Sequence, residues 1–366
     1  MADKTKKLST TTKAPSAYAE AGVNIALGDK LKGGLKEKLK HATRPEVMGA
    51  IGGFGGLFDL SKTKYKEPVL VSSVDGVGTK LKLAFETGRH EIVGHDIVNH
   101  CINDIAVMGA EPLFFLDYIG LGKLEPNIFH KLIGGMGAAC RAANTALIGG
   151  ETAQMPGFYQ PGEYDLVGCI IGIAEKSRLM SGTTIKPGDQ IIGLSSNGLH
   201  TNGYSLARKI LFEQLGHKIN DRIPGENQTF ADALLRPHVN YSPLMLSLAK
   251  KFNRASSKQR AGNSIFGFCH ITGGGFSGNL PRILPKTTNA TIRSSSWPTL
   301  PIFAYLAEKS GVSFDELYEV FNMGIGMCIV VSPEATKKVI AACKKAGTSA
   351  YHIGEITKGR GQVKLD

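Results

Sequence analysis

Five polar residues in the stretch HDIVNHCINDIAVMG, residues 95–109, recur at a spacing that puts them on one side of a helix: Asp96, Asn99, His100, Asn103 and Asp104. Ile97, Val98, Cys101, Ile102, Ile105 and Ala106 cover most of the remaining circumference. A face meant only for water would carry Lys, Glu, Arg or Gln. Asn, Asp and His form helices less readily and are tolerated where something other than helicity rewards them. Side chains of these types hold cations and move protons, so the face reads as chosen for chemistry.

Upstream, VDGVGTK places Asp75 at the end of the β-branched run EPVLVSS, followed by Gly76, Gly78, Thr79 and Lys80. The glycines let a ligand approach the backbone, Lys80 brings positive charge, and Asp75 can hold Mg²⁺ beside phosphates through carboxylate oxygen. The P-loop order G-x-x-x-x-G-K-[ST] is absent, which disfavours that nucleotide fold. The run IGGFGGLFDL, with Gly53, Phe54, Gly55 and Gly56, suits a loop laying N–H groups on phosphate, and reads equally well as a flexible turn. A further acid, Glu151, follows the apolar run ALIGG. Asp75, Asp96, Asp104 and Glu151, with Asn103, are expected to converge at the ends of neighbouring elements. Such a cluster repels itself unless divalent cations fill it, so a Mg²⁺–polyphosphate site is expected.

The second half carries two more glycine-rich turns. NGLHTNGY, residues 197–204, packs amides and hydroxyls around His200, whose ring titrates near neutrality, although a satisfied loop histidine is the plainer reading. CHITGGGFSGNLPRIL brings Thr272, Gly273, Gly274 and Gly275 to a predicted helix start with Pro281 in or near its first turn, where N–H groups suit a phosphate.

These residues need strands and helices to hold them. The pattern predicts a basic helix from Ile25 to Leu39 and strands over 67–73, 113–121, 146–150, 164–176, 190–196, 269–271, 321–332 and 349–356. It predicts further helices over 126–141, 205–216 and 333–347. Residues 1–16, rich in Lys, Thr and Ser, read as a disordered tail. The polar segment Ser177–Asp189 marks a boundary between an N-terminal domain, 17–176, and a C-terminal domain, 177–366. Strands alternate with helices in both, so each half is α/β or α+β with a mixed sheet. Residues 212–260 suggest no function, and Trp297 reads as a core or loop anchor.

Composition narrows the class. The chain has 366 residues, enough for two cores, and 45 glycines, which favour tight turns and backbone-lined sites. Its net charge is +12, and residues 1–66 alone hold 13 Lys or Arg against 6 Asp or Glu. With no RNA-binding aromatic strands beside that charge, an anionic small molecule is expected rather than nucleic acid. Six dispersed cysteines without a C-x-x-C pair read as reduced thiols of a cytoplasmic protein, and no run approaches a membrane span.

DGVGTK, GHDIVNHCINDI, GAEPLFFLDY, GGETAQMPG, LSSNGLHTNGYSL, TGGGFSGNLPR and FNMGIGM, in this order, closely resemble the phosphoribosylaminoimidazole synthetases, the phosphoribosylformylglycinamidine cyclo-ligases of purine biosynthesis. The resemblance runs from Tyr18 to about Ile356. It implies ATP-dependent closure of formylglycinamidine ribonucleotide to aminoimidazole ribonucleotide through a phosphorylated amide, an iminophosphate, with Mg²⁺. It also implies a homodimer whose N-terminal halves build a shared β-barrel.

By motif, the resemblance implies an ATP site of Gly53, Phe54, Gly55, Gly56, Asp75, Gly76, Thr79, Lys80 and Asn103, with Asp75, Asp96, Asp104 and Glu151 near metal. It implies a substrate site of Ser195, Asn197, Gly198, His200, Asn202, Thr272, Gly273, Gly274 and Gly275, with His200, Lys80 and Asp96 catalytic. Asn99 and His100 stand where the family often has small or apolar residues, so the resemblance does not make them ligands. Rival readings are superfamily cousins, namely a formylglycinamidine synthase-like subunit, a selenophosphate synthetase or a thiamin-monophosphate kinase. A basic RNA-binding protein is the rival from another class. No glutaminase half and no N-terminal Cys motif speak for the cousins.

Overall fold

The computed structural model describes residues 16–49, 52–254 and 256–366. The predicted tail, apart from Ser16, and the first residue of the IGGFGG run lie outside the described residues. A two-stranded pair, β1 (Val47–Met48) and β2 (Leu57–Phe58), precedes two larger sheets. The first contains β3 (Pro68–Gly76), β4 (Glu111–Leu121), β5 (Ala146–Gln154) and β6 (Tyr164–Glu175) in the order β3-β6-β4-β5. Its β4–β5 pair is parallel and the other pairs are antiparallel.

The second sheet contains β7 (Gln190–Ser195), β8 (Ile265–His270), β9 (Thr288–Ile292), β10 (Ile325–Val331), β11 (Ala350–Lys358) and β12 (Val363–Leu365). The order is β12-β9-β11-β7-β10-β8, antiparallel except for β12–β9. The molecule is thus mixed α/β, with two mixed sheets.

Two long helices, His90–Ala106 and Pro126–Ala142, cover one face of the first sheet. They approach closely because glycines meet backbone: a Cβ on Gly135 would lie 2.0 Å from the Glu91 carbonyl oxygen, and one on Gly94 would lie 2.5 Å from that of Leu132. Ile97, Val98, Cys101, Ile102 and Ile105 fill the core beneath, as their spacing predicts. In the second half, apolar cores occupy both faces of the six-stranded sheet, which explains why β8 and β10 are buried along their whole length. Leu83 and Ala106, from the N-terminal half, belong to those second-half cores. The two halves share packing, not only a linker.

Several local expectations shift. The segment from Ile25 to Leu39 forms two short helices, Ile25–Gly33 and Leu35–Lys38, interrupted at the Gly33–Gly34 pair. The turn after Thr272 starts a helix of only five residues, Gly275–Asn279, so Pro281 lies in the 3₁₀ turn beyond it rather than in its first turn. The six cysteines are free thiols, five of them buried. Trp297 is a buried anchor whose Nε1 donates to the Met323 carbonyl at 2.9 Å.

Candidate active site at the seam between the halves

The polar face of the His90–Ala106 helix looks at the second half of the chain. Asp96 accepts from the His238 amide at 2.7 Å, and the Asn99 side chain donates to the His238 carbonyl at 2.7 Å. One turn on, Asn103 accepts from the Tyr241 amide at 2.8 Å and donates to the Val239 carbonyl at 2.8 Å. His100 and Asp104 reach Thr201 and His270. All five residues engage the second half, including Asn99 and His100, which the family resemblance had set aside. Asn and Asp are suited to this work because a short amide or carboxylate can satisfy the backbone groups of an irregular segment that has no strand partner.

At the N-terminal end of that face the seam is closed. Lys80 and Asp96, both fully buried, form an ion pair at 2.6 Å. Lys80 Nζ also donates to the carbonyls of His200 at 3.0 Å and Arg236 at 2.9 Å. Burial pushes the lysine pKa down and the carboxyl pKa up, and their mutual attraction opposes both shifts. This corrects two expectations: Lys80 is not turned toward a phosphate, and Asp96 is not open to a metal. As placed, they tie the DGVGTK turn and the helix to the backbone that carries His200.

Toward the other end the seam is half-open and rich in histidine. Asp75 meets His100 Nε2 at 2.7 Å, and Asp104 lies 3.6 Å from the same nitrogen. His100 Nδ1 lies 2.6 Å from the Thr201 hydroxyl, which is 3.3 Å from His238 Nδ1. His238 Nε2 lies 3.1 Å from His270 Nε2, and His270 Nδ1 returns to Asp104 at 2.8 Å. The side chains of Asp75 and Asp104 remain 41% and 26% exposed. Burial would raise both carboxyls, but His100 beside Asp75 and His270 beside Asp104 outweigh it and hold them below the ordinary 3.8. Burial would lower His100, but the carboxylates around it hold it above 6.5. Two ionised, partly open carboxylates are therefore available to a hard cation.

His200 sits in the left-handed region at φ 63°, held through its carbonyl by Lys80 and the Tyr204 hydroxyl. Its ring is buried and stacked on His238 with centroids 4.1 Å apart, and neither ring nitrogen has a hydrogen-bond partner. A Cβ on Gly326 would lie 2.5 Å from the ring, so glycine there makes its space. Burial pushes His200 well below 6.5, which leaves a neutral imidazole able to accept or donate.

Around His200, Asn197 donates to the Pro237 carbonyl at 2.8 Å while its own buried Oδ1 is unpartnered. The Ser195 carbonyl accepts from the Tyr241 hydroxyl at 2.8 Å, and Asn322 holds the Gly198 carbonyl at 2.9 Å. Asn202 packs against Gly273, where a Cβ would meet its Oδ1 at 3.1 Å. The Asn279 amide ties down the carbonyls of Thr272, Gly273 and Gly275, while Gly274 adopts φ 93°. The two second-half turns thus meet. Thr79 joins them through a 2.9 Å contact with Ser205, and the Asp75 carboxylate accepts from the Gly76 amide at 2.7 Å.

The expected convergence of all four acids does not occur within this chain. Glu151 is on edge strand β5 and β3 forms the opposite edge, so Glu151 lies three strand spacings, about 14 Å, from the Asp75 turn. Gly53, Phe54 and Gly55 form an exposed turn before β2, and Gly56 packs on Ile148, away from the histidines. Sequence reasoning missed His238, His270, Thr201 and Tyr241. His270 stood one residue before ITGGG and went unselected. RPHVNYSP, with its His, Asn and Tyr, is the polar signal inside residues 212–260, the stretch that suggests no function by sequence.

The fold and this seam define a class. Residues 60–174 match the family described as AIR synthase related protein, N-terminal domain, and residues 186–366 match its C-terminal domain. Solved structures agree on the architecture. A thiamine-monophosphate kinase from Stenotrophomonas maltophilia superposes with a TM-score of 0.65 at 17% identity, covering 94% of this chain and 96% of the other. The hydrogenase maturation protein HypE in complex with ATP gives 0.65 at 16%, covering 94% and 93%.

Sequence discriminates where fold does not. The chain is 48% identical over 345 residues to the phosphoribosylformylglycinamidine cyclo-ligase of Geobacillus kaustophilus, covering 94% of this chain and 96% of the relative. It is 47% identical over 345 residues to that of Trichlorobacter lovleyi, with the same coverage. The chain belongs to the phosphoribosylformylglycinamidine cyclo-ligase family within the AIR synthase related proteins.

Proposed function

We propose that this protein is an ATP-dependent cyclo-ligase that converts formylglycinamidine ribonucleotide to aminoimidazole ribonucleotide, ADP and phosphate in purine biosynthesis. The observation that carries the reading is near-full-length identity of 46–48% to proteins of that name. Chemically, an amide carbon is a poor electrophile until its oxygen becomes a leaving group. Phosphorylation by ATP gives an iminophosphate, a tethered nitrogen attacks its carbon, and phosphate departs. Because the nucleophile belongs to the same molecule, the enzyme chiefly positions it and gains effective molarity.

The neutral His200 ring is assigned to the reacting amide oxygen or nitrogen as proton donor or acceptor. Ser195, Asn197, Gly198, Asn202 and the Thr272–Gly275 turn are assigned to the ribonucleotide. Asp75 and Asp104, ionised and partly open, fit a hard divalent ion such as Mg²⁺, which when bound would neutralise phosphate charge. Lys80 and Asp96 are assigned a positioning role, since Lys80 holds the carbonyl of His200 within the substrate turn and that of Arg236 in the neighbouring segment. Asn103 joins them rather than the nucleotide. Gly53–Gly56, Gly76 and Thr79 remain assigned to ATP, and Glu151 to a metal or phosphate site of its own.

A homodimer through the first sheet is part of the proposal. The face of that sheet turned away from the helices carries Leu70, Val74, Phe114, Leu116, Val167 and Ile171, with Leu70 54% and Val74 64% exposed. An apolar sheet face of this kind is stable when another sheet covers it, and two such faces would build the shared barrel. Among the described residues no helix is long and apolar enough to cross a membrane. Cytoplasmic residence goes with the proposed pathway.

The test incubates the protein with formylglycinamidine ribonucleotide, ATP and Mg²⁺. One aminoimidazole ribonucleotide per ADP is expected. ATP hydrolysis without ring closure, or no reaction from folded protein, would overturn the assignment.

A further inference from the structure

A histidine that moves protons must be aimed, and the usual device is a hydrogen bond to one ring nitrogen that fixes the orientation of the other. His200 has no such bond, because both of its ring nitrogens are buried and unpartnered. Its backbone is fixed: the carbonyl accepts from Lys80 Nζ at 3.0 Å and from the Tyr204 hydroxyl at 3.0 Å. Two side-chain torsions remain, and packing alone restrains them. The ring's Cε1 occupies space that a Cβ on Gly326 would need, and the Tyr241 ring stands tilted beside it, with centroids 6.1 Å apart. Its face is covered by His238, with 4.1 Å between centroids and 23° between planes.

His238, unlike His200, is tied at its backbone and at both ring nitrogens. Its amide donates to Asp96 at 2.7 Å, and its carbonyl accepts from the Asn99 side chain at 2.7 Å. Its Nδ1 lies 3.3 Å from the Thr201 hydroxyl and its Nε2 lies 3.1 Å from His270 Nε2. We infer that His238 is a positioning residue for ring closure, a fixed plate whose face holds the His200 imidazole in the plane from which it meets the substrate. Aiming by a face suits this task. A hydrogen bond would occupy one of the two nitrogens, whereas stacking leaves both free for the reacting atoms. The polar side of the His90–Ala106 helix thereby reaches the reaction at one remove, since Asp96 and Asn99 grip the backbone of the plate. A displacement of about 1 Å at a reacting group costs roughly 100-fold in rate, so an imidazole freed to rotate should fail in kcat rather than in KM. The inference rests on the assignment of His200 to the reacting amide.

The test compares full-length His238→Ala, which removes the plate, with His238→Phe, which keeps an aromatic face and loses the same two ring-nitrogen contacts. In His238→Ala, kcat for ring closure should fall about 30- to 100-fold with KM changed less than about 3-fold, and His238→Phe should recover at least about 10-fold of that loss. A readout independent of turnover is the ¹³Cε1–¹H spectrum of histidine-labelled protein, where the His200 signal among ten histidines is assigned by its absence from His200→Gln. The stacked ring should displace that signal in wild type, and His238→Ala should return it toward the free imidazole position. An unmoved His200 signal in folded His238→Ala, or equal losses of kcat in the Ala and Phe variants, would overturn the positioning role. So would a wild-type kcat in His238→Ala while His200→Ala is impaired, a result that leaves the proposed function standing. Wild-type turnover in His200→Ala would instead overturn the assignment of His200, and the positioning role with it.

Discussion

The DGVGTK turn and the His90–Ala106 helix meet twice, with opposite outcomes. At Lys80 and Asp96 they form an ion pair with no exposed surface, its lysine also held by two backbone carbonyls. At Asp75 and Asp104, about two helical turns away on the same face, they leave carboxylates 41% and 26% exposed. The residue types are nearly the same. What differs is whether the partner is part of the chain. A charge whose hydrogen bonds are all made inside the protein holds structure, whereas one left half-satisfied beside solvent is available to a ligand.

The largest expected effect breaks the closed end. Lys80→Ala leaves the Asp96 carboxylate buried without its cation and should cost about 3–5 kcal/mol of unfolding free energy in denaturant titrations. Pairing it with Asp96→Leu should recover much of that loss. Next, His200→Ala should reduce ring closure at least about 100-fold, mainly in kcat, beyond the moderate loss of stability that removing a buried, stacked ring brings. Unchanged kcat would remove His200 from the chemistry. A smaller effect grades the clamp: Asn103→Ala loses two bonds to the second half and Asn99→Ala one, so about 2 and about 1 kcal/mol are expected by the same titration.

The smallest effect concerns pH. Asp75 and Asp104 have folded pKa values below their ordinary 3.8, so their stabilisation is present above that value and is lost as pH falls through the folded values. Acid titration of stability should therefore be shallower in Asp104→Asn than in wild type, and an equal slope would contradict the pairing.

Periodicity made the helix and its polar face legible, and glycine-rich turns at strand ends marked where the halves meet. The partner of that face was not legible. Asp96 and Asp104 have the same side chain eight residues apart, and only the tertiary path of residues 236–241 decides that one is enclosed. Glu151 was misplaced for a related reason: motif order in the chain says nothing of strand order, and β5 sits at the far edge from β3. His238 was hidden because a single polar residue in a surface-like stretch carries no period. Family resemblance drew attention away from Asn99 and His100, which the fold uses.

The most direct test measures unfolding midpoint and ring-closure rate side by side for Asp96→Asn and Asp104→Asn. The account predicts that Asp96→Asn loses stability by several kcal/mol. Asp104→Asn, whose amide oxygen can still accept from His270, should lose much less stability than Asp96→Asn but at least about 100-fold in turnover. A stable Asp96→Asn, or a folded Asp104→Asn that turns over at the wild-type rate, would contradict it.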